Sequence, residues 1–194
     1  WLEQNLETHL LGNHLFANAK ALIYTSFFLQ GGVADRWYEL GKKLVDRELS
    51  EQVLEDGGNF ELSTMYHLIF LEDLLDLVNI HRTYGRSLPL GVEEKIGQMF
   101  GWLSTMCHPD GEISFFNDAA LGVTPSVAEI REYGERLGFY PNDDGRSDEN
   151  FVDLSYSGYS RVEVEDMVVI VDRAAVGPDY LPGHAHADTL SFEL

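Results

Sequence analysis

Between residue 14 and about residue 107 the apolar residues recur at helical spacing, and the segments come in two alternating kinds. Residues 14–30 are apolar almost all round, with Leu15, Phe16, Ala19, Leu22, Ile23 and Phe27, until Gly31-Gly32 stops the run. Residues 33–55 are amphipathic: Val33, Trp37, Leu40 and Leu44 form one stripe, Asp35, Arg36, Glu39, Lys42 and Lys43 face water, and Gly57-Gly58 ends the segment. Residues 65–82 are again apolar over most of the circumference, behind a plausible N-cap at Ser63 or Thr64, and residues 91–107 return to the amphipathic kind. A helix with little polar face must be buried on most sides. The order buried, surface, buried, surface therefore predicts helical hairpins with one member inside and one outside, as in an α/α toroid. A plain four-helix bundle is the alternative. In the toroid, alternate helices run parallel, so the inner helices begin at one common mouth.

After about residue 150 the period changes to that of strands. Tyr159 to Glu163 and Met167 to Asp172 alternate or run β-branched around Glu165-Asp166, which predicts a hairpin, and Thr189 to Leu194 begins another strand. Between the two regimes, residues 108–125 read as an ordered loop with a short strand at 112–115, and residues 126–137 as a short helix ending at Gly138. The Pro-, Asn-, Asp- and Gly-rich stretch that follows is the natural linker. We therefore divide the chain into a helical part at 1–139, a linker at 140–153 and the start of a sheet domain at 154–194. The chain opens Trp-Leu-Glu without an initiator Met and stops at Leu194 inside a strand, so an internal portion of a longer protein is expected.

Composition narrows the function. Thirteen basic residues against 33 acidic ones leave a net charge of −20, a field that opposes nucleic acid and anionic membrane surfaces. An anionic polymer would be disfavoured too, unless a cleft is locally positive. No stretch reaches about 18 uninterrupted apolar residues, so no membrane span is expected. The lone Cys107, on an apolar helical stripe, excludes an internal disulfide and a multi-cysteine zinc site, and reads as core.

Three places carry polar residues that the hydrophobic pattern does not need. Asn13-His14 stands at the start of the first buried segment, where Asn13 could equally be a simple N-cap. Asp56-Gly57-Gly58-Asn59-Phe60-Glu61 leads into Met65-Tyr66-His67 at the start of the second, where Tyr66 taken alone would read as core. Gly183-His184-Ala185-His186-Ala187-Asp188 precedes a strand, and histidines at i and i+2 of an extended segment point the same way, as a metal pair or a catalytic pair would. If both buried helices are inner ones, Asn13, His14 and Tyr66 share one mouth. The helix N-termini there would attract a carboxylate and help stabilise a tyrosinate.

These three segments, Gly12 to Leu22, Asp56 to His67 and His184 to Phe192, resemble the heparinase II/III and related alginate lyase families, and occur in family order over almost the whole chain. The resemblance implies a mainly α, then β architecture: an incomplete α/α toroid followed by the first strands of an antiparallel β-sandwich. It implies a bacterial, periplasmic or secreted polysaccharide lyase that cuts an acidic, uronic-acid-containing polysaccharide or oligosaccharide by β-elimination. By position, Asn13 and His14 would neutralise the substrate carboxylate, Tyr66 would be base and/or acid, and His184 the partner base. Asn59, Glu61 and His67 would line the cleft. His186 would be one ligand of a structural divalent metal, usually zinc, whose other ligands lie beyond Leu194, so the isolated chain is expected to be inactive. No arginine cluster capable of gripping sulfates is visible in these segments, so heparin-like polymers are not favoured over plain uronates. Two alternatives stand beside this reading: a toroid glycoside hydrolase with Glu61 and Asp118 as its paired acids, and a non-catalytic glycan-binding or polysaccharide-assembly protein.

Overall fold

The computed structural model describes residues 1–140, 150–186 and 190–194. Five helices come first: α1 (Gly12–Phe28), α2 (Gly32–Gln52), α3 (Thr64–Tyr84), α4 (Val92–Met106) and α5 (Val127–Arg136). A single antiparallel sheet follows, with strands β1 (Phe151–Leu154), β2 (Tyr159–Val164), β3 (Met167–Asp172) and β4 (Phe192–Glu193) in sequential order. The helix-then-sheet division matches the expectation from periodicity. The sheet starts earlier than expected, because β1 begins inside the stretch read as linker; positions 141–149 of that stretch fall outside the described residues. At 112–115 the expected strand is only an isolated bridge between Ile113 and Cys107.

The helices pair as two hairpins. Phe27 meets Tyr38, and Gly41 sits so close to Ala19 and Ile23 that a Cβ there would lie 2.6 Å from Ile23, so α1 and α2 run antiparallel in near-backbone contact. His67 reaches Met99 and Trp102 while Arg82 reaches Glu93, so α3 and α4 are antiparallel as well. Between the hairpins the contacts advance together. Phe16 lies against Phe70 with ring centroids 4.4 Å apart, Lys20 bonds Asp73 and Asp76, and Phe27 lies against His81. Helices α1 and α3 are therefore parallel, and their first turns stand at one end. They carry the fully buried residues Leu15, Phe16, Ile23, Leu71, Leu74, Leu75 and Leu77. Burial at roughly 25 cal/mol per Å² of apolar surface makes this inner layer the main source of stability.

The helix ends follow ordinary chemistry, with one exception. Ser63 caps α3, its Oγ accepting from the Tyr66 N–H; Gly85 closes that helix in the left-handed region; Ser126 and Glu129 form a capping box on α5. Helix α1 has no side-chain cap. It begins at Gly12, behind Leu11 at φ 60°, so Asn13 is not the N-cap residue but stands inside the first turn, where backbone N–H groups lack helical partners.

The sheet is fastened to the helices by its inner face. Trp102, Met106, Phe116, Leu154, Tyr159 and Ile170 form a second apolar cluster with Leu62. Beside it the buried Arg161 donates to the Thr105 and Cys107 carbonyls at 3.0 and 2.5 Å and to Glu163 at 2.7 Å. A guanidinium at the C-terminus of α4 satisfies carbonyls that the helix leaves open and meets the negative end of its dipole. Cys107 is buried and unpaired, with its thiol pushed up to about 11, as core packing predicts. The opposite face of the sheet bears Phe151, Val164, Met167 and Phe192, all more than half exposed. Arg161→Ala leaves buried carbonyls unsatisfied and is expected to lower stability by about 2–4 kcal/mol in urea unfolding. A loss below about 0.5 kcal/mol, the usual size of a surface substitution, would contradict this attachment.

Candidate active site

The segment between α2 and α3 is shaped by its own side chains. One oxygen of Asp56 accepts from the Gly58 N–H, and the other accepts from the Tyr156 and Ser157 N–H groups and the Ser157 hydroxyl, which ties this turn to the β1–β2 turn. Gly57 has φ 89°, and a Cβ there would lie 2.2 Å from the Gln98 carbonyl oxygen, so only glycine fits. The Asn59 side chain accepts from the Glu61 N–H at 3.0 Å, and Leu62 takes φ 58°. That left-handed residue turns the chain into α3, and its carbonyl accepts from the Tyr159 hydroxyl at 2.7 Å and the Asn117 amide at 2.9 Å. Glu61 is thereby aimed inward, and Tyr66 lies in the first turn of α3.

His184, in a short 3-10 turn, closes over this end. Its ring stands edge to face against Tyr66, with centroids 4.3 Å apart at 75°. Its Nδ1 is 3.0 Å from Asp118 Oδ2, and its Nε2 is 3.8 Å from Glu61 Oε2. Glu61 in turn abuts the start of α1: a Cβ on Gly12 would lie 2.9 Å from its Oε1. The Glu61 carboxyl is almost wholly buried, and neither oxygen has a well-formed hydrogen bond among the described residues. Burial pushes its pKa up, and the charge of Asp118 adds to that. The His184 ring, the Asn13 backbone N–H and the His14 ring pull it down, but by less than burial raises it. His14 is more exposed, with Nδ1 3.7 Å from Glu7, a residue held in place by hydrogen bonds with the Asn18 side chain.

The parallel run of α1 and α3 thus brings Asn13, His14, Glu61, Tyr66 and His184 to one end of the helical layer. The pKa of Tyr66 is raised, first by burial and then by the charges of Asp118 and Glu61. The resting side chain is therefore a neutral phenol.

Two residues expected to line the cleft do not reach it. Asn59 is buried and serves the turn. His67 is fully buried, stacks on Trp102 at 4.4 Å and 24°, and donates from Nε2 to the Met99 carbonyl. Burial pushes its pKa down to about 3, so it is a neutral core imidazole joining α3 to α4. His186 is more than half exposed, with Nε2 3.6 Å from Asp118 Oδ1. No group of three or more His, Cys, Asp or Glu that could hold a metal forms among the described residues, so these residues alone do not fit a metal centre. Asp118, considered in the sequence only as a hydrolase acid, contacts the site at three points. It lies 66 positions from His184, and no spacing rule connects the two.

The fold and this cluster define a class that the comparisons identify. The heparinase II/III N-terminal profile matches residues 1–146, and the heparinase II/III-like C-terminal profile matches residues 146–194. The chain belongs to the heparinase II/III family. It is 34% identical over 113 residues to a heparin-sulfate lyase of Bacteroides stercoris, an alignment covering 57% of this chain and 17% of that protein. It is 30% identical over 98 residues to a heparin-sulfate lyase of Pedobacter heparinus, covering 49% of this chain and 14% of that protein. Among solved structures, a heparinase III superposes with a TM-score of 0.79 at 17% identity, covering 94% of this chain and 33% of that one. The heparan sulfate lyase HepC of Pedobacter heparinus superposes at 0.72 with 19% identity, covering 98% and 32%. The chain therefore spans about a third of the length of the solved structures it matches, and they establish its fold as toroid followed by sandwich.

The buried Glu61 generates a pH-dependent prediction. A carboxyl that holds its proton more tightly when folded makes folding less favourable as pH rises from the ordinary Glu value toward its own raised one. Glu61→Gln is therefore expected to stabilise the protein by about 1–3 kcal/mol at pH 7, with the gain vanishing below about pH 4. Thermal unfolding at the two pH values checks this, and an equal effect at both would contradict it.

Proposed function

We propose that the full-length protein is a polysaccharide lyase that cleaves a uronic-acid-containing polysaccharide by β-elimination. The observation that carries this reading is the contact between Tyr66 and His184, two proton-transfer groups, beside the start of α1. In the reaction the C5 proton leaves, its electron pair forms the C4–C5 double bond, the C4–O bond breaks, and the departing oxygen takes a proton. A C5 proton next to a carboxylate is scarcely acidic until that carboxylate is neutralised. Asn13, with the positive end of the α1 dipole, and His14 supply that neutralisation. His184 Nε2 takes the C5 proton, and Tyr66, resting as a neutral phenol, gives its own to the leaving oxygen.

The heparin-sulfate lyase names of the relatives make heparan sulfate the first polymer to try, although the sequence alone does not favour it over plain uronates. A polymeric substrate places the enzyme in the periplasm or outside the cell. No described helix is long and apolar enough to cross a membrane. A structural metal on His186 would need ligands from outside the described residues. The hydrolase alternative is not favoured: Glu61 is buried, and both it and Asp118 lie against His184 rather than standing as an open pair of acids.

The test is the ultraviolet absorbance of the unsaturated product when the full-length protein meets a panel of uronate polymers. Tyr66→Phe and His184→Ala should each lower turnover by about 100-fold or more with the melting temperature nearly unchanged. New reducing ends without absorbance would replace this reading with hydrolysis, and binding without any product would replace it with a glycan-binding role.

A further inference from the structure

Asp118 is held far more firmly than its place in a loop requires. Its backbone N–H donates to the His184 carbonyl at 2.9 Å, and its own carbonyl accepts from the hydroxyl of Ser63, the N-cap of α3, at 2.6 Å. The preceding Asn117, at φ 59°, donates its side-chain amide to the Leu62 carbonyl and the Tyr159 hydroxyl. The main chain of this pair is thus joined to the turn before α3, to β2 and to the segment bearing His184. With all of that fastening done by the backbone and by Asn117, the Asp118 carboxylate is left without a structural task of its own.

Among the described residues the contacts of that carboxylate gather at the site. Oδ2 lies 3.0 Å from His184 Nδ1, Oδ1 lies 3.6 Å from His186 Nε2, and the same carboxylate helps raise the Tyr66 pKa. A carboxylate accepting from Nδ1–H selects one ring orientation and leaves Nε2 directed away from it, here toward Glu61. A short side chain with two rotatable bonds on an anchored backbone has little freedom to release either partner.

We propose that Asp118 is the positioning residue of the site, setting the His184 ring and the Tyr66 hydroxyl against each other so that Nε2 is the reacting nitrogen. The assignment rests on the lyase reading. It gives Asp118 no direct part in the chemistry: Asp118 acts through His184, with Tyr66 placed by the same carboxylate.

The experiment is a double-mutant cycle in the full-length protein, on a polymer that the wild type degrades with ultraviolet-absorbing product. Asp118→Asn keeps the shape and the backbone bonds and should lower kcat by about 100-fold, with KM within about threefold of wild type and an unchanged melting temperature. In a His184→Ala background the same substitution should cost well under the roughly 100-fold it costs in the wild type, because only the placing of Tyr66 remains for it to disturb. Asp118→Glu, which keeps the charge, should recover part of the lost kcat, and it serves as the cycle partner if Asp118→Asn does not fold. A kcat within threefold of wild type for Asp118→Asn, or full multiplication of the two losses in the double variant, overturns the assignment. Absence of product from the wild type on every polymer is a different failure: it removes the lyase reading and the Asp118 role with it.

Discussion

The Leu62 carbonyl is the point on which the site depends. It accepts from Tyr159 in the sheet and from Asn117 in the loop after α4, and it belongs to a residue at φ 58° that turns the chain into α3. Tyr66 follows it by one helical turn, Asp118 is adjacent to Asn117, and Asp118 donates its own N–H to the His184 carbonyl. Three segments distant in sequence are therefore registered against one acceptor. The Asp56 bonds to the β1–β2 turn and the Arg161 bonds to the end of α4 hold the same junction from either side. A buried acceptor with two donors costs more to break than a surface contact, so this register is rigid.

The electrostatics follow from that rigidity. The anionic substrate proposed for a chain carrying −20 needs a place where the local field is less negative. Burial favours the neutral form of Glu61, and the Asp118 carboxylate is turned toward His184. The start of α1 supplies partial positive charge without a cationic side chain. Burial, with the charge of Asp118 beside it, keeps Tyr66 protonated. In the proposed elimination this suits the tyrosine to act as the acid rather than as a standing tyrosinate base.

Much of this arrangement was legible in the sequence, because helical hairpins write their burial into periodicity. The all-round apolar spans at Leu15 and Leu68 and the amphipathic ones at Leu44 and Leu103 already imply inner and outer members, and parallel inner helices place Asn13 and Tyr66 together. Other features carry no periodic trace. His67, next to Tyr66, points to the opposite side of α3 and is swallowed by Trp102; Asn59 spends its side chain on its own turn. A run of residues that resembles a family site mixes contacting groups with the scaffolding that aims them, and the sequence does not distinguish them. Asp118 is the converse case: its role depends on pairings across 55 and 66 residues that only the folded chain reveals. The early start of the sheet at β1 was hidden by the polar residues around it.

The central claim is that a uronate sits with its carboxylate at the start of α1 and its C5 facing the paired His184 and Tyr66. It is tested most directly by a crystal structure of the full-length Tyr66→Phe protein with an uncleaved uronate oligosaccharide. We predict the carboxylate within hydrogen-bonding distance of Asn13, with His184 Nε2 facing C5. An oligosaccharide bound elsewhere, or one whose carboxylate points away from α1, would contradict the account.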